Sequence, residues 1–445
     1  MNRILVAAGL LALATPASAV DVDFAGYYRA RARAYSSLSM DRDATDSEGL
    51  SMGIQHRLLL RPTFYINENI QVTADIRALE GLYWGNSPAP ATAFTSDQTV
   101  ANATGDDMQT PGSGASNIEL WRAWAELRSG DHTFRFGRMP LNWGSGILWN
   151  DGLGYNADYG DSADRIQWEG LFGDIYASAA IDVNAEGFIN DGDDTTSFNG
   201  MVAYRSETVT AGLLAQVRHT PNPNLTIVTL DGAVEAEIGK IDLEAEVVGH
   251  FGEGDLTDDI SDIRIASVGA VLDASIGFDF ATLGVAAGLA TGDGDLTDTT
   301  YSTFTFDRDY NVGILMFEQP MPTFAATIPT ETNGGRNFDE VVVGNAVSNA
   351  IFLRPRVQRT IAEMVELEGS VLWARTLAAP STSEYEGRQS YGFEIDAAAR
   401  YVGMEHLELG LTGGLLLPGN WFTEVDDREL TGPVFGAQLL GRVVF

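Results

Sequence analysis

The stretch DFAGYYRARARAY, residues 23–35, sorts into two faces at every second position. Asp23, Tyr27, Arg29, Arg31, Arg33 and Tyr35 take one side, and Phe24, Gly26, Tyr28, Ala30, Ala32 and Ala34 the other. A period of two is the spacing of a pleated strand, whose successive side chains point to opposite faces. The pattern recurs down the chain. Gln55, Arg57, Arg61, Thr63 and Tyr65 oppose Leu58, Leu60, Pro62, Phe64 and Ile66, while Gln71, Thr73, Asp75 and Arg77 oppose Ile70, Val72, Ala74, Ile76 and Ala78. Further on, Asp242, Glu244 and Glu246 oppose Ile241, Leu243, Ala245 and Val247, and His406 and Glu408 oppose Leu407, Leu409 and Leu411. Charges on one face and aliphatics on the other, sustained this often, imply lipid outside and water inside. The expected fold is all-β, a single transmembrane antiparallel β-barrel. A soluble sandwich alternates too, but rarely for so long.

The connections sharpen that expectation. Long gaps fall near 38–50, 84–116, 140–161, 185–196, 219–224, 251–260, 291–347, 377–388 and 418–432. Short ones fall between them, near Asn67-Glu68, Ser129-Gly130-Asp131, Phe172-Gly173-Asp174, Ser206-Glu207, Gly239-Lys240, Ser275-Ile276-Gly277, Thr360-Ile361 and Gly403-Met404-Glu405. Short periplasmic turns alternating with long extracellular loops predict about 18 strands. At the C-terminus, Phe435, Ala437, Leu439, Gly441, Val443 and Phe445 form one apolar face, with Gln438 and Arg442 on the other. A last strand closing on the first would look like this, because closure alone removes exposed edges in lipid. The terminal phenylalanine is similar to the sorting signal read by the barrel-assembly machinery. Trp84, Trp121, Trp143, Trp149, Trp168, Trp373 and Trp421 stand near predicted strand ends, as interfacial aromatic girdles require.

Composition narrows the classes that remain. Of 445 residues 62 are acidic and 27 basic, a net charge of −35, which leaves no basic footprint for nucleic acid. Lys240 is the only lysine, and the absence of cysteine removes disulfides, thiolate metal sites and cysteine nucleophiles. Arg3, the apolar run Ile4–Ala14 and Ala17-Ser18-Ala19 read as a cleaved secretory signal over residues 1–19. Residues 20–445 then form the barrel. No later run reaches the roughly 20 apolar residues that a membrane-crossing helix needs. These features predict the outer membrane of a Gram-negative bacterium, with lipid and lipopolysaccharide around the barrel and a homo-oligomer as an open possibility. The five histidines, His56, His132, His219, His250 and His406, form no metal or triad pattern. Ser145 reads as a turn serine, and no P-loop or dinucleotide fingerprint appears. No enzyme activity, cofactor or metal is expected.

A barrel this wide cannot be filled by wall side chains and leaves an aqueous lumen unless loops plug it. Alternation points Arg29, Arg31, Arg33, Arg57, Arg61, Arg77, Arg122, Arg135 and Arg165 inward, with Arg354 and Arg356 further along. Facing them are acids that include Glu235, Glu237, Glu244, Glu246, Glu366, Glu368, Glu394, Asp396 and Glu408. Guanidinium groups stay charged and grip carboxylates bidentately. One reading is therefore an anion-selective arc facing an acidic wall, and the other is cross-strand pairing that merely holds the wall together. Loops 84–116, 137–161 and 291–347 are candidate lids or constrictions, and Val312–Phe317 is apolar enough to pack inside the mouth.

GRMPLNWGSGILWN, residues 137–150, follows TFRF and precedes Asp164-Arg165. It resembles the central motif of the alginate-export family of outer-membrane barrels, with Met139 where that family carries glutamine. ATGDGDLTDTTYSTFTFD, ending in Thr305, Phe306 and Asp307, is similar to that family's late Gly-Asp loop. The resemblance implies 18 strands and an Arg-lined selective pore, and it adds Arg138 to the pore-lining candidates. The expected function is a porin-like channel passing small hydrophilic, anionic solutes by diffusion, with polysaccharide export as a variant. The alternative is a plugged barrel whose loops serve a surface-structural or adhesive role.

Overall fold

The computed structural model describes residues 20–36, 50–83, 118–185, 194–222, 224–255, 261–294, 298–318, 346–379, 387–422 and 432–445, together with 321–322, 330–332, 335–337 and 343–344. The expected export segment 1–19 and the loop 84–116 lie outside the described residues.

Period-two segments become strands wherever their polar face finds the lumen and their apolar face finds lipid. The wall begins with β1 (Asp21–Tyr35), β2 (Ser51–Asn67), β3 (Ile70–Tyr83), β4 (Ile118–Ser129), β5 (His132–Pro140) and β6 (Ser162–Phe172). It continues through β7 (Ile175–Ala185), β8 (Thr195–Arg205), β9 (Val209–Thr220), β10 (Leu225–Ile238), β11 (Ile241–Gly254) and β12 (Ile263–Gly277). The last six are β13 (Thr282–Ala290), β14 (Ala350–Ile361), β15 (Val365–Arg375), β16 (Ser390–Met404), β17 (Leu407–Pro418) and β18 (Val434–Val444). Each strand pairs antiparallel with its neighbour in sequence, and β18 returns to β1 with Arg442 opposite Arg29 and Gln438 opposite Arg33. Gly26 and Phe445 exchange both backbone hydrogen bonds at 2.8 and 3.0 Å, so the seam is continuous to the last residue. The result is a closed 18-stranded barrel. Thr300–Tyr301 adds a two-residue parallel strand against β12.

Three short turns lie later than the sequence predicts. β12 runs on to Gly277 and turns at Phe278–Ala281, β14 turns at Ala362–Met364, and β16 turns at Glu405-His406. Ala362, Glu363 and His406 hold φ of 52, 57 and 69°, so the last two of these turns use left-handed backbone without glycine to announce them.

The outer face is apolar. Leu120, Ile166, Leu213, Leu411 and Leu439 all stand exposed on it. In water each buried-size aliphatic left bare forfeits about 1.5–3 kcal/mol, and lipid removes that penalty. A long-looped barrel with this belt is an outer-membrane protein. The aromatic girdle is narrower than expected. Trp168 packs with His132 and Phe172 on the short-turn rim, and Trp373 stands opposite Phe393 on the outer face. Trp121, Trp143, Trp149 and Trp421 are buried within the barrel instead, where they anchor chain that runs through the lumen.

Candidate functional site

Two segments leave the wall and run inside it. Residues 141–161, after β5, touch strands on opposite sides of the barrel. Their Trp143 ring fills the space over Gly212 of β9, where a Cβ would lie 2.6 Å from the indole. Ile147 donates its N–H to Glu246 of β11 at 3.3 Å, and Tyr155 reaches the notch left by Gly410 of β17. Glycine on a strand's inner face allows this close approach. Residues 302–318 line the other half. Phe304 stacks on His250 with ring centroids 5.0 Å apart, Phe306 packs on Phe352, and Phe317 packs on Tyr391. Val312, Ile314, Leu315, Met316 and Phe317 are buried, and Glu394 of β16 accepts the N–H groups of Ile314, Leu315 and Met316 at 2.7, 2.8 and 2.6 Å. The segments meet where Asp309 accepts the N–H of Asp158 at 2.6 Å and that of Tyr159 at 3.1 Å.

Against this junction stand the arginines of β1–β4. Arg29 donates to the Ala157 carbonyl at 2.6 Å and to Asp158 Oδ1 at 2.7 Å. Arg31 also grips Asp158 Oδ1, and Arg33 reaches Oδ2 at 3.0 Å. Arg57 donates to the carbonyls of Ala157 and Asp158, and Arg77 to that of Tyr159 at 2.7 Å. Arg122 holds the carbonyls of Asp151 and Asp161 at 2.9 and 2.6 Å. The Trp121 ring lies between Arg77 and Arg122, 3.1 and 3.3 Å from their guanidinium carbons, a cation–π sandwich. A bulge opposite Asp75 and Ile76 turns Trp121 inward beside Arg122.

The remaining predicted arginines pair with wall carboxylates. Arg61 binds Asp75 at 2.5 and 2.7 Å, Arg165 binds Asp182 at 2.6 and 2.8 Å, and Arg135 bridges Glu126 and Glu169 at 2.6 Å each. Arg354 pairs with Glu368 and Arg356 with Asp273, while Glu366 takes Arg400 and Glu244 stands between Glu235 and Asp273 in the ladder. Arg138 is misplaced by the motif resemblance. It lies on the outer face with Phe134 and Phe136, pairs with Asp164 at 2.6 Å and is 54% exposed. Replacing Arg138 by alanine is therefore expected to leave channel conductance and ion selectivity at wild-type values in a planar bilayer. A shift in reversal potential would return it to the pore.

Two cavities flank the junction and share Arg33 in their walls. One, of about 480 Å³, is lined by Arg29, Arg31, Arg57, Arg77 and Asp158. The other, of about 770 Å³, opens toward the short turns past Phe278–Thr282 and Arg359, with Tyr155, Glu368 and Asp396 along it. Asp158, Asp309 and Glu394 thus organise the lumen. Of these only Glu394 was visible in sequence, as one inward acid among many. A count of counter-ions for the β1–β3 arginines would have pointed to an acid on an inward loop.

No family model and no curated protein matches the sequence. In fold the chain is similar to the Opd and Occ proteins of Pseudomonas aeruginosa. OpdL superposes with a TM-score of 0.56 at 8% identity over 96% of this chain and 99% of that one. OccK2 (OpdF), solved in complex with glucuronate, gives 0.53 at 10% over 96 and 98%. The outer membrane protein OpdK gives 0.52 at 11% over 95 and 99%, and has also been solved with vanillate. These matches overturn the alginate-export resemblance. The physical reason is visible in the motif itself, since its arginine faces away from the lumen and its Gly-rich run is the entry to the inward segment. The polysaccharide-export variant loses its basis with it. What these matches show is the fold, a closed barrel similar to those of the Opd and Occ proteins.

Proposed function

We propose that the barrel passes small hydrophilic anions, carboxylates foremost, by diffusion past the arginines of β1–β3. The observation that carries this reading is a charge imbalance in the smaller cavity, where, among the described residues, the three guanidiniums of Arg29, Arg31 and Arg33 share one carboxylate, Asp158. Glu318, the other carboxyl near Arg33, is pushed up to about 8 by burial and carries little charge at neutral pH. The surplus sits in a narrow, low-dielectric passage, where it focuses field on anions and raises their local concentration. Guanidinium forks favour planar carboxylates over spherical anions. The larger cavity continues the path and adds opposing charges, Arg354 and Arg400 against Glu368 and Glu366. Such a transverse arrangement orients polar solutes without binding them tightly. The ligands of two similar barrels, glucuronate and vanillate, are both carboxylates.

Reversal potential across a salt gradient tests this directly. The wild-type channel is expected to prefer chloride over potassium. R31Q/R33Q is expected to lose most of that preference, because it removes the two guanidiniums nearest the passage between the cavities. Cation preference in the wild type would overturn the reading.

A further inference from the structure

We propose that the Asp158 carboxylate is a tethered stand-in for the carboxylate of a passing solute, filling the Arg29–Arg31–Arg33 site at rest and yielding it to an incoming anion. The inference rests on the anion-channel reading above and names the residue that tunes it.

Position argues first. Asp158 belongs to the inward segment and not to the wall, so its charge is not needed to hold two strands in register. The carboxylate is 23% exposed, whereas the side chains of Arg29 and Arg31 are 5 and 2% exposed. All three line the cavity of about 480 Å³, a volume within the range that holds small ligands, and of the three Asp158 is the most open to it. Attachment argues next. Asp309 holds the backbone N–H groups of Asp158 and Tyr159, and Arg29 and Arg57 hold the Ala157 carbonyl. The main chain is fixed without the carboxylate, so rotation of one side chain is enough to vacate the site. Charge argues last. Three guanidiniums, Arg29, Arg31 and Arg33, converge on the two Asp158 oxygens, and against the opposing effect of burial they hold its carboxyl far below the usual carboxylate range. A site of that strength left bare would trap a solute. Exchanging one carboxylate for another costs little, and a channel needs entry sites that release what they bind.

The test is single-channel recording with vanillate, and separately glucuronate, added on one side, for wild type, D158N, D158C and R31Q/R33Q. D158N keeps the side chain's shape and removes its charge. Blocking events are expected to last about tenfold longer or more in D158N, the scale of one charge-assisted hydrogen bond regained by the solute. D158C carries the only thiol of a cysteine-free chain. Attaching a sulfonatoethyl group to it restores a tethered anion and is expected to bring the block back toward wild-type duration. Unchanged block durations in D158N, alongside lost anion preference in R31Q/R33Q, would sink this inference and leave the channel reading intact. Anion preference that survives in R31Q/R33Q would sink the channel reading itself. If D158N fails to reach the heat-modifiable folded form, Asp158 is a structural pin and the inference is wrong.

Discussion

E394A is expected to raise single-channel conductance several-fold and make it noisy, while the barrel still folds and inserts. Glu394 is fully buried on the inner face of β16, and its two oxygens accept three consecutive backbone N–H groups, those of Ile314, Leu315 and Met316. Hydrogen bonds to a charged acceptor are the strong ones, and each stranded buried N–H costs about 1–3 kcal/mol. Removing the carboxylate strands all three in the stretch 312–317, which apolar packing otherwise holds, whereas 304–307 keeps backbone bonds to Thr291, Val347 and Ile147. Gly313 lies so close to this carboxylate that a Cβ there would sit 2.9 Å from both oxygens, so the backbone of the segment rests directly on Glu394. The cheapest response is for 312–318 to leave the wall and expose its backbone to lumenal water, pulling on Asp309 just before it. That movement also takes Asp309 away from the backbone of Asp158 and Tyr159, so the second inward segment loosens with the first. The wall itself is untouched, since β16 keeps its full ladder with β15 and β17. Heat-modifiable migration on a gel checks folding. Conductance at the wild-type level with wild-type noise would show that the segment is held without Glu394.

The wall was legible in the sequence because lipid and water enforce parity. Every residue from Arg29 to Arg33 had to choose a side, and the same rule read Arg57, Arg77 and Arg165 correctly from spacing alone. Parity also carried the information that the motif resemblance lost. Arg135 and Arg138 are three residues apart on one unbroken strand, so they cannot share a face, and Arg135 is the inward one. Trp121 shows the limit from the other side, since a bulge puts it and Arg122 on the same face and no alternation pattern contains a bulge. Turn positions slipped where Ala362 and Glu363 take left-handed backbone in place of glycine. The lumen was far less legible. Whether the arginines stood bare or paired depended on Asp158, which lies 129 residues from Arg29 and on a different structural layer. Local sequence carries no trace of a contact at that separation. The inward segments were nevertheless foreshadowed by composition, because a Gly-rich run with Trp143, Trp149 and Tyr155 has aromatic payload that an exposed loop does not need.

Raising the pH through about 8 is expected to open the junction between the two inward segments. Asp307 of one segment faces Asp161 of the other within hydrogen-bonding reach, and burial together with that facing carboxyl pushes Asp307 up to about 8. Burial also raises Asp161, although the Asn150 N–H at 3.1 Å and the charge of Arg122 pull the other way. Asp309 adds a third carboxylate nearby, so at neutral pH one proton bridges Asp161 and Asp307. The sign follows from the direction of the shift. A carboxyl whose folded value is raised contributes stability that is complete below its unfolded value near 4 and is lost as pH climbs through about 8. Above that range two anions face each other across the junction, with Arg122 already committed to the Asp151 and Asp161 carbonyls. Single-channel records are therefore expected to show more open-state noise and higher mean conductance at pH 9 than at pH 6. D307N keeps the hydrogen-bond donor and cannot ionise, so it should hold the pH 6 behaviour at pH 9. A rise in noise from pH 6 to pH 9 that persists in D307N would place the proton elsewhere. A wild-type channel indifferent to pH across this window would show that Asp307 is already ionised and that Asp309, through its grip on Asp158 and Tyr159, closes the junction alone.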